Sequence, residues 1–306
     1  MFNLPLLAAA QNPESVPTLA LVFMGISLVL ILAVPIVLFF YIKKRFKLNP
    51  RALLNGVLVY MAACMLLPQL ISIGLAMIPG LGDTLKSNAT LAGVVMGLVI
   101  AALQMAGLLL GAKYLMKNAG FGSYLFYGLG FTVLEAFMQT ATNLFSYLSL
   151  AMSVNQVGTA QLIQEVQESN PEQSEEAVKA LYDFIGAPAV NYLSYGLDST
   201  LKVIFILCVA VLIYAVSKKI GPKYLTLLVL GFIFLFNVPN LLFQAGLYSS
   251  MWVAEAMYLV ITAGCAYFTY RLVKGSMPDE LKNLTRKIDK YTPPQKKFPK
   301  FNIPRD

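Results

Sequence analysis

Long, nearly uninterrupted apolar runs separated by short polar clusters dominate the chain. Seven of them, at about 18–42, 52–78, 90–116, 123–152, 197–216, 224–246 and 249–272, reach twenty residues or more. At about 1.5 Å per residue each is long enough to cross a hydrocarbon core of about 30 Å as a helix. The pattern predicts an all-α, polytopic membrane bundle over residues 18–274, with a short segment 1–17 before it and a tail 275–306 after it.

Charge orients the spans. Lys43, Lys44, Arg45, Lys47 and Arg51 follow the first, Lys113 and Lys117 the third, Lys218, Lys219 and Lys223 the fifth, and Arg271 and Lys274 close the seventh. The alternate connections hold only Lys86 and Lys179. Because basic loops stay on the cytoplasmic side, the N-terminus is expected outside and the tail inside, in the plasma membrane. The first residues lack a basic start and lead into a span too long for a secretory core, which reads as an uncleaved signal-anchor.

Composition supports the same class: 58% hydrophobic and 12% charged residues, with a mean hydropathy of +0.69, do not suit a water-soluble domain. The net charge of +8 collects at span ends and in the tail, which points to lipid headgroups as partners rather than nucleic acid. The chain has no histidine, which removes the commonest zinc ligand and the usual general base. Cys64, Cys208 and Cys265 are scattered through apolar spans without a ligand spacing, so no metal and no cofactor is expected.

The one sizeable outer loop, 155–195, carries six acids against Lys179 and should form two short helices. Asn170, Pro171 and Gln173 have the residue types of a helix start, and Ala177, Val178, Leu181, Phe184 and Ile185 give the second helix an apolar face that caps the bundle. The tail has eight Lys or Arg, four acids and five prolines, and is expected to be largely disordered on the membrane surface.

Candidate chemistry lies on polar stripes inside the spans. In the third, Gly93, Gly97, Gln104, Gly107 and Gly111 share one face; in the fourth, Gly128, Thr132, Glu135, Gln139, Thr142, Asn143 and Ser146 do; in the sixth, Asn237, Asn240 and Gln244 do, beside Pro239. Counted from the span ends, Gln104, Glu135 and Asn237 fall about 18 to 21 Å deep, near the midplane. Gln104, Glu135, Gln139, Asn237 and Asn240 are therefore the expected polar site, with Glu135 its only ionisable member and the candidate catalytic residue. With amide partners, Glu135→Gln would be tolerated. Asp198 and Lys202, four apart, are expected to pair on their own helix, with Glu255 within reach of Lys202.

The motif Gly128-Leu129-Gly130-Phe131-Thr132-Val133-Leu134-Glu135-Ala136, with Tyr41-Ile42-Lys43-Lys44, Leu197-Asp198 and Phe236-Asn237-Val238-Pro239, resembles the YhfC-like membrane peptidase family, allied to the CAAX-protease and PrsW-type intramembrane proteases. The resemblance implies a paired-glutamate motif in span three, a histidine in the glycine motif and His-x-x-x-Asp in a later span. Here those positions read Leu103-Gln104, Phe131, and Ile233 with Asn237, which leaves Glu135 as the retained acid. The resulting expectation is a protease-type bundle without its catalytic set, acting as a binding or regulatory component for a hydrophobic peptide or partner transmembrane helix. The alternatives are a transporter or permease subunit with a polar midplane site, and a glutamic-type intramembrane protease working through Glu135.

Overall fold

The computed structural model describes residues 15–169, 174–248 and 250–285. Among these residues there is no strand, and seven helices are long and apolar enough to cross a membrane. They are Thr18–Arg45, Pro50–Ala76, Ala89–Leu115, Phe121–Val157, Asn191–Ser217, Leu225–Gln244 and Met251–Ser276, called spans one to seven below. Large apolar side chains on the periphery remain exposed, among them Val29, Leu70, Leu110, Leu227 and Val260, as a bundle solvated by lipid requires.

The starts and stops follow local chemistry. Asn49 accepts a hydrogen bond from the Ala52 amide while Pro50 occupies the first turn, and Asn88 caps span three through the Leu91 amide at 2.9 Å. Span six continues through Pro239 to Gln244, and the Tyr248 hydroxyl donates to the Pro239 carbonyl from the following loop.

Span four is the axis of the bundle. Every residue from Phe121 to Thr132 is buried except the half-exposed Ser123, because spans one, two and five surround it. The tightest contact is with span two. A methyl group on Gly56 would stand 2.1 Å from the Tyr127 carbonyl oxygen, and one on Gly130 would stand 2.0 Å from the Leu53 carbonyl oxygen, so here backbone meets backbone. Small residues permit such an approach, and dispersion between the two chains then holds helices that the hydrophobic effect cannot drive together in lipid. Gly128 faces the other way, against Ala210 and Ile206 of span five. The stripe in span three behaves differently: Gly97 meets the Leu241 side chain and Gly107 meets Ala63 and Val59, so it accepts side chains rather than backbone.

The loop after span four forms two helices, Thr159–Ser169 and Ser174–Ile185. Asn170, Pro171 and Gln173, the expected start signals, lie outside the described residues. Leu181 and Ile185 are buried in a cluster with Ala20, Met24, Ala151 and Val154, and Phe184 stacks on Tyr147 with ring centroids 5.7 Å apart. This loop therefore closes one end of spans one and four. Span one is fastened there as well, since Asn155 exchanges two hydrogen bonds with the Val16 backbone, at 2.8 and 3.1 Å.

The expected disordered tail opens instead with an eight-residue helix, Pro278–Thr285. Its Leu281 and Leu284 pack on the bundle and Tyr41 donates to the Leu284 carbonyl, so these apolar positions have a surface to cover. The rest of the tail lies outside the described residues. The main packing test concerns span two. Gly130→Ala should destabilise the folded bundle by about 1 to 3 kcal/mol, because its methyl can be accommodated only by moving backbone. Gly231→Ala, where a methyl would meet nothing, should be close to neutral. Thermal unfolding of the two variants in the same detergent reads the difference.

Candidate functional site

Glu135 ends the α-helical first half of span four, and the next six residues, Ala136–Ala141, wind as a π-helix. Span two contains a second such turn, Met61–Leu66. Turns of this kind are rare and gather at functional sites, because the extra residue rotates the side chains that follow. The two are joined: Tyr60, just before one, donates through its hydroxyl to Gln139 Oε1 in the other at 2.9 Å, and its ring packs edge-on against Phe131.

The carboxylate of Glu135 meets Lys202 of span five in an ion pair through Oε1, while Oε2 is buried without a hydrogen-bond partner. Both side chains are largely withdrawn from solvent, at 17% and 25% exposure. The void beside them, lined by Thr132, Thr140, Asp198 and Ser199, has a volume of only about 10 Å³, room for one water at most. The Thr132 hydroxyl donates to the Leu129 carbonyl of its own helix at 3.1 Å, so it does not serve the acid.

The structure therefore divides the five-residue midplane site expected from sequence into four places. Asn237 donates to Gln104 Oε1 at 3.0 Å and to the Ile233 carbonyl at 2.8 Å, an amide pair that links spans six and three. Glu135 makes no hydrogen bond to it: its Oε1 is taken by Lys202 of span five and its Oε2 has no partner. Gln139 belongs to Tyr60. Asn240 lies one helical turn beyond Asn237, on a separate cavity with Asp198 and Glu255.

The expected pairing of Lys202 with Asp198 and Glu255 is also redistributed, since Lys202 reaches across to Glu135 instead. Depth explains this. The hydropathy of span five rises only at Leu197, but the helix begins at Asn191, where Tyr192, Ser194 and Tyr195 make its first turns polar. Lys202 is therefore about 17 Å inside the helix rather than about 8 Å, deep enough to meet the acid of span four. Two positive signals for this partner were present in the sequence: a lone lysine within an apolar run, and an acid at similar depth that needed a counter-charge.

Breaking a buried pair by removing one partner strands a charge, whereas replacing both with neutral groups is often neutral. We expect Glu135→Gln and Lys202→Met each to destabilise the bundle by about 2 to 3 kcal/mol, less than for a fully buried pair because both groups keep some exposure. The double variant should recover most of that loss. Additive losses in a double-mutant cycle would mean that the pair is not coupled.

Comparison with known proteins agrees with this architecture. The YhfC intramembrane metalloprotease family matches residues 30–258, which run from span one into span seven and include Glu135, Lys202 and Asn237. Searches of curated proteins and of solved structures found no match. With three quarters of its length matched, and with seven membrane-crossing helices, this chain is a multi-pass membrane protein that belongs to the YhfC intramembrane metalloprotease family.

Proposed function

We propose that this chain has given up metal-dependent hydrolysis and acts as a membrane-embedded binding or regulatory component for a hydrophobic peptide or the transmembrane helix of a partner. The observation that carries the reading is the occupation of Glu135 by Lys202. In a hydrolytic centre this carboxylate would have to ligate a cation or take a proton from water; here an ammonium group is already seated on it.

The metal implied by the family's description does not fit the residues present. The chain has no histidine, and among the described residues no group of three or more Cys, Asp or Glu side chains is placed to hold a metal ion. Gln104 and Asn237, the amides that the resemblance sets at two of the family's acid positions, are bonded to each other. They are weak ligands, and neither is hydrogen-bonded to Glu135.

A surface for an apolar partner exists at the lipid boundary. Spans six and seven border a groove of about 650 Å³ lined by Leu235, Val238, Trp252, Val253 and Val260, with almost no polar atoms. The Lys and Arg distribution supports an N-terminus outside and the tail in the cytoplasm, in the plasma membrane. On that threading, cysteines placed at exposed positions of residues 175–183 should react with impermeant reagents from outside, and cysteines at 43–51 should not.

The functional test uses the paired substitution. In a complementation assay, the Glu135→Gln, Lys202→Met double variant should retain function, and the purified wild-type chain in proteoliposomes should leave fluorogenic transmembrane peptides uncut. Cleavage by the wild type that disappears in the well-folded double variant would overturn the proposal and make Glu135 a catalytic residue.

A further inference from the structure

At the capped end of the bundle, the first turns of spans five and seven and the last turn of span six surround a cavity of about 200 Å³. Asp198 and Glu255 line it together with Asn240, Tyr195 and Tyr258. Glu255 is only 8% exposed, and its Oε2 is buried with no hydrogen-bond partner. Asp198 lies within electrostatic range of Glu255 on one side and of Lys202 and Glu135 on the other.

The charges around this cavity do not balance. Glu135, Asp198 and Glu255 share one cation, Lys202, and its ion pair is made with Glu135. Asp198 thus shares Lys202 with Glu135, and Glu255 has only the like charge of Asp198 beside it, in a region where uncompensated charge is costly. Helix N-termini at spans five and seven ease part of that cost but supply no full charge.

The walls narrow the choice of counter-ion. Tyrosine rings from two spans line the cavity with Phe243 and Met251, and aromatic rings attract a weakly hydrated cation carrying carbon. No group of three or more His, Cys, Asp or Glu side chains among the described residues is placed to hold a metal ion, and this cavity offers two carboxylates. The space exceeds what a bare alkali ion fills. We propose that this cavity binds the primary ammonium group of a small organic amine, with Asp198 and Glu255 as its anionic partners. The cavity borders the Glu135–Lys202 pair through Asp198, which lines the voids on both sides, and the proposal holds whether or not the bundle hydrolyses peptides.

A primary ammonium can arrive as a free amine or as the headgroup of phosphatidylethanolamine, and two arms separate these sources. In the first, the full chain in phosphatidylcholine nanodiscs is titrated with n-butylammonium chloride, with sodium chloride at equal ionic strength as the control. In the second, phosphatidylethanolamine replaces part of the lipid. The expected result is a rise in Tm with the amine, or with the ethanolamine lipid, that sodium does not reproduce. Glu255→Gln and Asp198→Asn should each weaken the response about tenfold or more, since each removes one charge-assisted partner. Met251→Trp, which fills the cavity and keeps both carboxylates, should also abolish it and covers the case in which an acid variant fails to fold. No rise in either arm, an equal rise with sodium, or an undiminished response in the folded variants would overturn the proposal.

Discussion

Hydrocarbon cannot solvate charge, and the arrangement of this bundle follows from how it meets that constraint at Glu135. The acid lies near the middle of the most enclosed span, and Lys202 of the neighbouring span is its counter-charge. For the two to meet, span five must pack directly on the glycine face of span four, which it does where Gly128 meets Ala210 and Ile206. Span five also sets Phe205 against Phe236 of span six, while the amide pair of spans three and six bonds within itself. One electrostatic requirement thus selects the neighbours of the central helix.

The other side of span four is governed by shape. Backbone contact at Gly56 and Gly130 leaves no freedom for spans two and four to slide, and the Tyr60 to Gln139 hydrogen bond ties their two π-helical turns together. Spans two and four act as one body on which Glu135 is mounted. The remaining helices offer mainly side-chain contacts, and the large apolar groove lies among them, between spans six and seven.

Much of this was legible in the sequence. The seven spans emerge from hydropathy because lipid demands uniform apolarity over a fixed length. The polar stripe of span four emerges in part: Gly128 and Thr132 are buried and Glu135 and Gln139 half-buried, while Thr142, Asn143 and Ser146 are exposed. Partner choice was not legible. Gln104, Asn237 and Glu135 lie at similar depth, but depth is one coordinate, and the azimuth that decides which side chains meet comes from packing. Hydropathy alone sets Lys202 too near the surface, because a span that starts with Asn191, Tyr192 and Ser194 hides its first turns from such a criterion. Two small residues on different spans, Gly56 and Gly130, carry the closest approach, whereas the regular glycine repeat of span three drew attention by its pattern.

The distance between the paired charges along the chain has a consequence for how the molecule is made. Glu135 and Lys202 are 67 residues apart. At about 5 to 20 residues per second, the acid leaves the ribosome roughly 3 to 13 seconds before its partner exists. During that interval the half-built protein holds four spans and a deep carboxylate, with the whole capping loop still to be synthesised. Only a proton, trapped water or the insertion machinery can offset its charge. The nascent chain is therefore most exposed to quality control in this window, and a change that lengthens residues 158–190 would prolong it without touching the finished fold.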